Sequence, residues 1–149
     1  MVSRILNATV IGIISGIVLG AVLKVIEEQT TKKVYTLLLN IDFIPILNSI
    51  QFGEMGEFLF HLLFSIILSF IYMSWTEKSS PNSALAYFVK ASIVTFPTIL
   101  LYFPLSFLAL KEVPAINDIQ SIMFWTFGHF MYVIALSVLV YLQQKKPRS

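Results

Sequence analysis

A chain of 149 residues with 57% hydrophobic and 12% charged side chains lacks the polar surface to coat a soluble globule, which usually carries about 45–50% apolar and about 25% charged residues. With no cysteine, disulfides, thiolate nucleophiles and cysteine-held metals are excluded. The net charge of +2 is small. The basic residues of the tail, Lys145, Lys146 and Arg148, suit lipid headgroups at least as well as nucleic acid, and no nucleic-acid signature is present.

The apolar excess falls in long blocks, and the length predicts a single domain. The first block, 5–26, has the roughly 20 apolar residues that cross a bilayer core. Arg4 before it resembles the start of a signal peptide. The run is longer than the usual apolar region of about 7–15 residues, however, and no small-x-small site follows Lys24, which predicts a retained helix. Gly12, Gly16 and Gly20 recur at spacing four on one face, where another helix can approach closely. Such a face serves either packing against a neighbour in the same chain or a seam between copies in a homo-oligomer.

The connection 24–56 opens on Lys24, Glu27, Glu28, Lys32 and Lys33, then turns apolar through 34–48. That piece is too short to span and is broken by Asp42 and Pro45. It predicts an amphipathic segment lying in the interface, or a re-entrant turn covering the bundle. Gly53 and Gly56 lead into the second span, 57–75. After the turn residues Ser79-Ser80-Pro81-Asn82 comes the third span, about 84–110. Lys90 lies near its start, where its stem can snorkel to the headgroups. Pro97 and Pro104 lie inside, tolerated where neighbours satisfy the freed carbonyls. A loop with Pro114 and Asp118 leads to the fourth span, 121–142, with Gly128-His129 in its first half. The fold class is all-α: a four-transmembrane-helix bundle with an amphipathic or re-entrant segment between the first two helices.

Four spans put both termini on one side. That side holds Arg4, Lys78, Lys90, Lys145, Lys146 and Arg148, six of the ten basic residues, so the positive-inside rule places both termini in the cytoplasm. Every acidic residue except Glu77 falls on the other side. Trp75 and Trp125 lie near span ends, the position of interfacial aromatics.

Ionisable residues within a membrane span are costly and are functional candidates by default. In the second span Glu57, His61, Ser65 and Ser69 follow at spacing four and Tyr72 comes three later, forming one stripe. Its opposite face is Leu, Ile and Phe, so the stripe should face the bundle interior. Glu57 and His61 are placed to share a proton or to offer two ligands to a metal. His61 equally suits pinning two helices through a hydrogen bond. His129, with Gly128 beside it, lies within roughly one turn of the depth of His61, and Tyr132 and Tyr102 are hydrogen-bond partners within reach. No nucleophile elbow, phosphate loop, metalloprotease helix or paired-cysteine motif is present, and no cofactor or resident metal is expected.

The run His61-Leu62-Leu63-Phe64-Ser65, then Tyr72, Glu77 and Pro81, then Phe96-Pro97 and Gly128-His129, resembles the YagU-like family of small bacterial inner-membrane proteins. Gly12, Gly16 and the charged exit Lys24, Glu27 and Glu28 extend the resemblance over nearly the whole chain. The chain departs from it in the fourth helix, where Phe130, Met131 and Tyr132 replace a tryptophan-rich stretch. The resemblance implies a multi-pass inner-membrane protein with a link to acid tolerance, and it carries no catalytic residues. The reading of the residues is then a non-enzymatic membrane protein with a proton-responsive or ligand-binding site at Glu57, His61, Ser65, Tyr72, His129 and Tyr132. The alternatives are an oligomeric transporter or channel subunit assembled through the glycine face, and a lipid-acting membrane enzyme.

Overall fold

The computed structural model describes residues 2–42, 44 and 52–145. The described residues form helices without strands: α1 (Val2–Thr30), α2 (Val34–Leu38), α3 (Gly53–Ser79), α4 (Ala84–Leu100), α5 (Tyr102–Leu108) and α6 (Ile119–Lys145). Four helices, with α4 and α5 counted as one, are long and apolar enough to cross a membrane. Each exceeds the predicted span at one or both ends, except the third, which stops at Leu108. The segment expected over 34–48 is a single short helix, α2, followed by a bend. Positions 43 and 45–48 of that expectation lie outside the described residues.

The polarity is that of a lipid-facing bundle. Leu59, Leu63, Ile67 and Phe70 of α3 and Leu85, Val89, Ile93 and Phe96 of α4 are exposed, whereas Ser15, Ser65, Ser69, Thr76, Thr95 and Ser137 are buried. This is the pattern a membrane-spanning bundle needs, because a polar group in hydrocarbon is expensive.

The α1–α3 seam sets the frame. The two helices run antiparallel, and each α1 glycine meets an α3 residue. A Cβ on Gly12 would sit 2.6 Å from the Ile66 Cα, one on Gly16 would sit 2.9 Å from Leu62 Cδ2, and one on Gly20 would sit 2.5 Å from the Phe58 ring. The glycine face is therefore filled within the chain. Because the backbones come this close, the α3 stripe reaches α1 carbonyls: Ser65 Oγ donates to the Gly12 oxygen (2.6 Å) and His61 Nε2 lies 3.1 Å from the Gly16 oxygen. Charges close both ends. Arg4 lies 3.1 Å from Glu77 and donates to Ser74, and Lys24 pairs with Glu54 at 2.6 Å.

From this seam the order runs α3–α1–α6–α4. Gly128 lets α6 close on Leu19 and Leu23 of α1. Chain direction at the α3–α4 turn reverses at Ser80, in left-handed backbone (φ +43°), and Ser83 caps α4 by accepting from the Ala86 N–H. The third span breaks at Leu101. Pro104 lacks the N–H that would bond the Leu100 carbonyl and its ring crowds that carbonyl, so the helix restarts as α5. Trp125 Nε1 donates to the Ile99 carbonyl beside the break (3.1 Å). Trp125 is only 2% exposed. The interfacial place expected for it is corrected: its indole serves the break and packs inside the bundle.

At the end away from the chain termini, ion pairs bind the connections together. Lys32 pairs with Asp118 (2.7 Å), Lys111 with Glu57 (2.6 Å), and Lys33 with Glu112. Glu27 accepts from the N–H and hydroxyl of Thr36 (2.8 and 2.7 Å), and Asp42 accepts from the N–H groups of Leu110 and Lys111. Asp118 also caps α6 through Ser121. Its carboxyl is held below the ordinary carboxylate range, first by the hydrogen bond from Lys32 and then, against a smaller desolvation, by Ser121.

Two outcomes follow. Gly12→Ala should cost about 1–3 kcal/mol, the range for overpacking, because its neighbour is backbone. Gly20→Ala should cost less, because the Phe58 ring can turn away. Denaturant unfolding in detergent checks both. The folded Asp118 carboxyl titrates below its unfolded value, so its contribution is complete above the unfolded pKa of about 3.9 and is lost as pH falls through the lower folded value. Thermal unfolding from neutral to strongly acidic pH should therefore show a loss that Asp118→Asn lacks.

Candidate functional site

Where α3 and α4 meet near their shared turn, Tyr72 donates to the Tyr87 carbonyl (2.8 Å). Toward the other end of the bundle a cavity of about 400 Å³ opens among α1, α3, α4, α5 and α6, within the usual size of about 300–1,000 Å³ for small-molecule sites. Its walls are apolar and aromatic, including Leu19, Phe60, Phe64, Leu105 and Trp125. Leu38, Asn40 and Ile41, the end of α2 and the bend after it, roof it. The roof is secured by the ion pairs just described. Tyr35 of α2 donates to Glu54 (3.1 Å), and its phenol is pushed up to about 12 by burial and by that carboxylate, so it remains a donor at any physiological pH.

Four of the residues singled out in the sequence line this cavity: His61, Ser65, His129 and Tyr132. The other two do not. Glu57 forms its ion pair with Lys111 of the α5–α6 connection and makes no hydrogen bond to His61 among the described residues. Tyr72 serves the α3–α4 contact. Tyr132 takes part in the seam, where Ser65 Oγ and its hydroxyl lie 3.1 Å apart. Tyr102 bonds the Ala115 carbonyl, so neither tyrosine holds a histidine.

The two imidazoles are each fixed by a backbone carbonyl. A carbonyl has no proton to give, so the facing ring nitrogen must carry one. His129 Nδ1 donates to the Trp125 carbonyl one turn back (2.9 Å), with the Trp125 and His129 rings 4.5 Å apart. His61 Nε2 donates to the Gly16 carbonyl. In the neutral rings the remaining nitrogens, His61 Nδ1 and His129 Nε2, are acceptors with no partner among the described residues. No group of three or more metal-binding side chains assembles among those residues.

Asn40 was not singled out by its sequence, since it lies in the short apolar piece after α2. It is 3% exposed. Its Oδ1 accepts from the Asp42 N–H (3.1 Å), which only an oxygen can do, so the amide orientation is settled. Its Nδ2 is buried without a partner among the described residues, and the side chain lines the cavity roof. The sequence signal was an amide two residues before an aspartate in an otherwise apolar run.

Comparison of the chain with protein-family models, curated proteins and solved structures finds no match.

The stripe carries a direct test of which hydroxyls hold the bundle. Ser65 has partners on α1 and α6, whereas Ser69 is buried with none among the described residues. Ser65→Ala should destabilise by about 0.6 kcal/mol or more, the average for interhelical hydrogen bonds in membranes. Ser69→Ala should be neutral or stabilising, because it removes an unsatisfied group. Equilibrium unfolding in mixed micelles separates the two.

Proposed function

We propose that this chain is a non-enzymatic, multi-pass protein of a bacterial plasma membrane, with both termini cytoplasmic, whose intramembrane cavity binds a small lipid-soluble ligand. One observation carries the reading: a pocket with largely apolar walls lined by His61, His129 and Asn40, whose Nδ1, Nε2 and Nδ2 respectively have no partner among the described residues. Apolar pockets with a few convergent polar groups are the common form of small-molecule sites. The two histidines also give the site its link to protons. His61, His129 and Tyr132 are its titratable lining residues, and no carboxylate, ammonium or guanidinium lines it among the described residues. A proton taken up by either ring turns an acceptor into a donor and puts an unpaired charge in an apolar space. Protonation and the binding of a neutral ligand therefore oppose each other whenever that ligand donates to the bare nitrogen. This accords with the acid-tolerance link that the YagU-like resemblance implies.

The test is retention. Protein purified in mild detergent should release a bound small molecule into an organic extract on denaturation, read by mass spectrometry. Thr98→Phe, which places a ring in the cavity, should release at least about tenfold less, with helix content unchanged by circular dichroism. Equal extracts from wild type and variant would refute the ligand-binding reading.

A further inference from the structure

The reading of the cavity as a ligand site leaves the ligand's chemistry open, and the unpartnered groups narrow it. The roof offers a donor, Asn40 Nδ2–H. The walls offer acceptors, His129 Nε2 on α6 and His61 Nδ1 on α3, each without a partner among the described residues and each on a ring already tied to a carbonyl through its other nitrogen. The complementary head must accept from the roof and donate to a wall. Two oxygens that divide those roles, one a carbonyl and one a hydroxyl, serve groups standing on separate elements better than a single oxygen. No cation lines the cavity among the described residues to balance a phosphate or a carboxylate, so the head is uncharged. The hydroxyls of Ser65, Thr98 and Tyr132, which also line it, bond to backbone carbonyls, and the remaining lining is Leu, Ile, Phe and Trp, which suits a hydrocarbon chain.

We propose that the cavity binds a long-chain carboxylic acid in its un-ionised form, with the acid O–H donated to a histidine nitrogen and its carbonyl accepting from Asn40 Nδ2. This rests on the ligand-binding reading above.

Trp125 lines the cavity and is one of two tryptophans in the chain. Full-length protein carrying Trp75→Phe, in nanodiscs, therefore reports on the cavity by fluorescence. A long-chain carboxylic acid brominated along its chain should quench Trp125 saturably. Its methyl ester, which keeps the carbonyl and chain but has no O–H, should bind about tenfold more weakly, as should the acid with the Asn40→Leu variant, since each leaves one buried group unpaired. Should Asn40→Leu fail to fold, the ester comparison on the unaltered roof decides alone. Equal saturable quenching by acid and ester would overturn the carboxyl assignment while leaving a hydrophobic ligand site standing. Quenching by neither beyond that of a brominated phospholipid would overturn both.

Discussion

The close approach of α1 and α3 is the constraint on which the other contacts depend. Three glycines at spacing four remove the Cβ atoms that would hold the helices apart, and the α3 stripe then reaches α1 backbone oxygens through Ser65 and His61. Helices long and apolar enough to cross a membrane would have no hydrophobic force between them in hydrocarbon, where close packing and interhelical hydrogen bonds carry association. Once this seam is set, Tyr132 of α6 finds Ser65 across it, and Gly128 brings α6 against Leu19 and Leu23 of α1. The third span then packs mainly on α6. Its contact with α3 is fastened at Tyr72, and the cavity lies between these helices farther along.

His61 joins this architecture to the site. One ring nitrogen is spent on the Gly16 carbonyl and thereby fixes the ring, which leaves the other nitrogen defined in position and protonation. His129 repeats the device within its own helix. A pinning histidine and a cavity-lining histidine are thus one side chain, and the structural reading of these residues does not exclude the proposed functional one.

Much of this was legible in the sequence. Spans are visible because a bilayer demands long apolar runs, and the inward turn of Ser65, Ser69 and Tyr72 follows from their helical spacing. The glycine repeat announced a close approach, although its partner within the chain required the fold. What periodicity could not reveal are pairings across distant loops. Glu57 looked like a partner for His61 at one turn's distance, but Lys111 from another connection takes its carboxylate. Trp125 sat where an interfacial aromatic belongs, yet the Pro104 break supplied a buried carbonyl region for its indole. Asn40 had no pattern around it, and its importance comes only from the roof that Lys32, Lys33 and Asp42 hold in place.

Each histidine keeps one ring nitrogen without a partner among the described residues, because its other nitrogen is bound to a backbone carbonyl, that of Gly16 for His61 and that of Trp125 for His129. Nitrogen-15 NMR of labelled imidazoles in nanodiscs tests it directly, since the two ring nitrogens have distinct shifts in each tautomer. Neutral rings are expected at neutral pH, with the proton of His129 on Nδ1 and that of His61 on Nε2. The opposite tautomer at either residue, or rapid exchange between both, would contradict it.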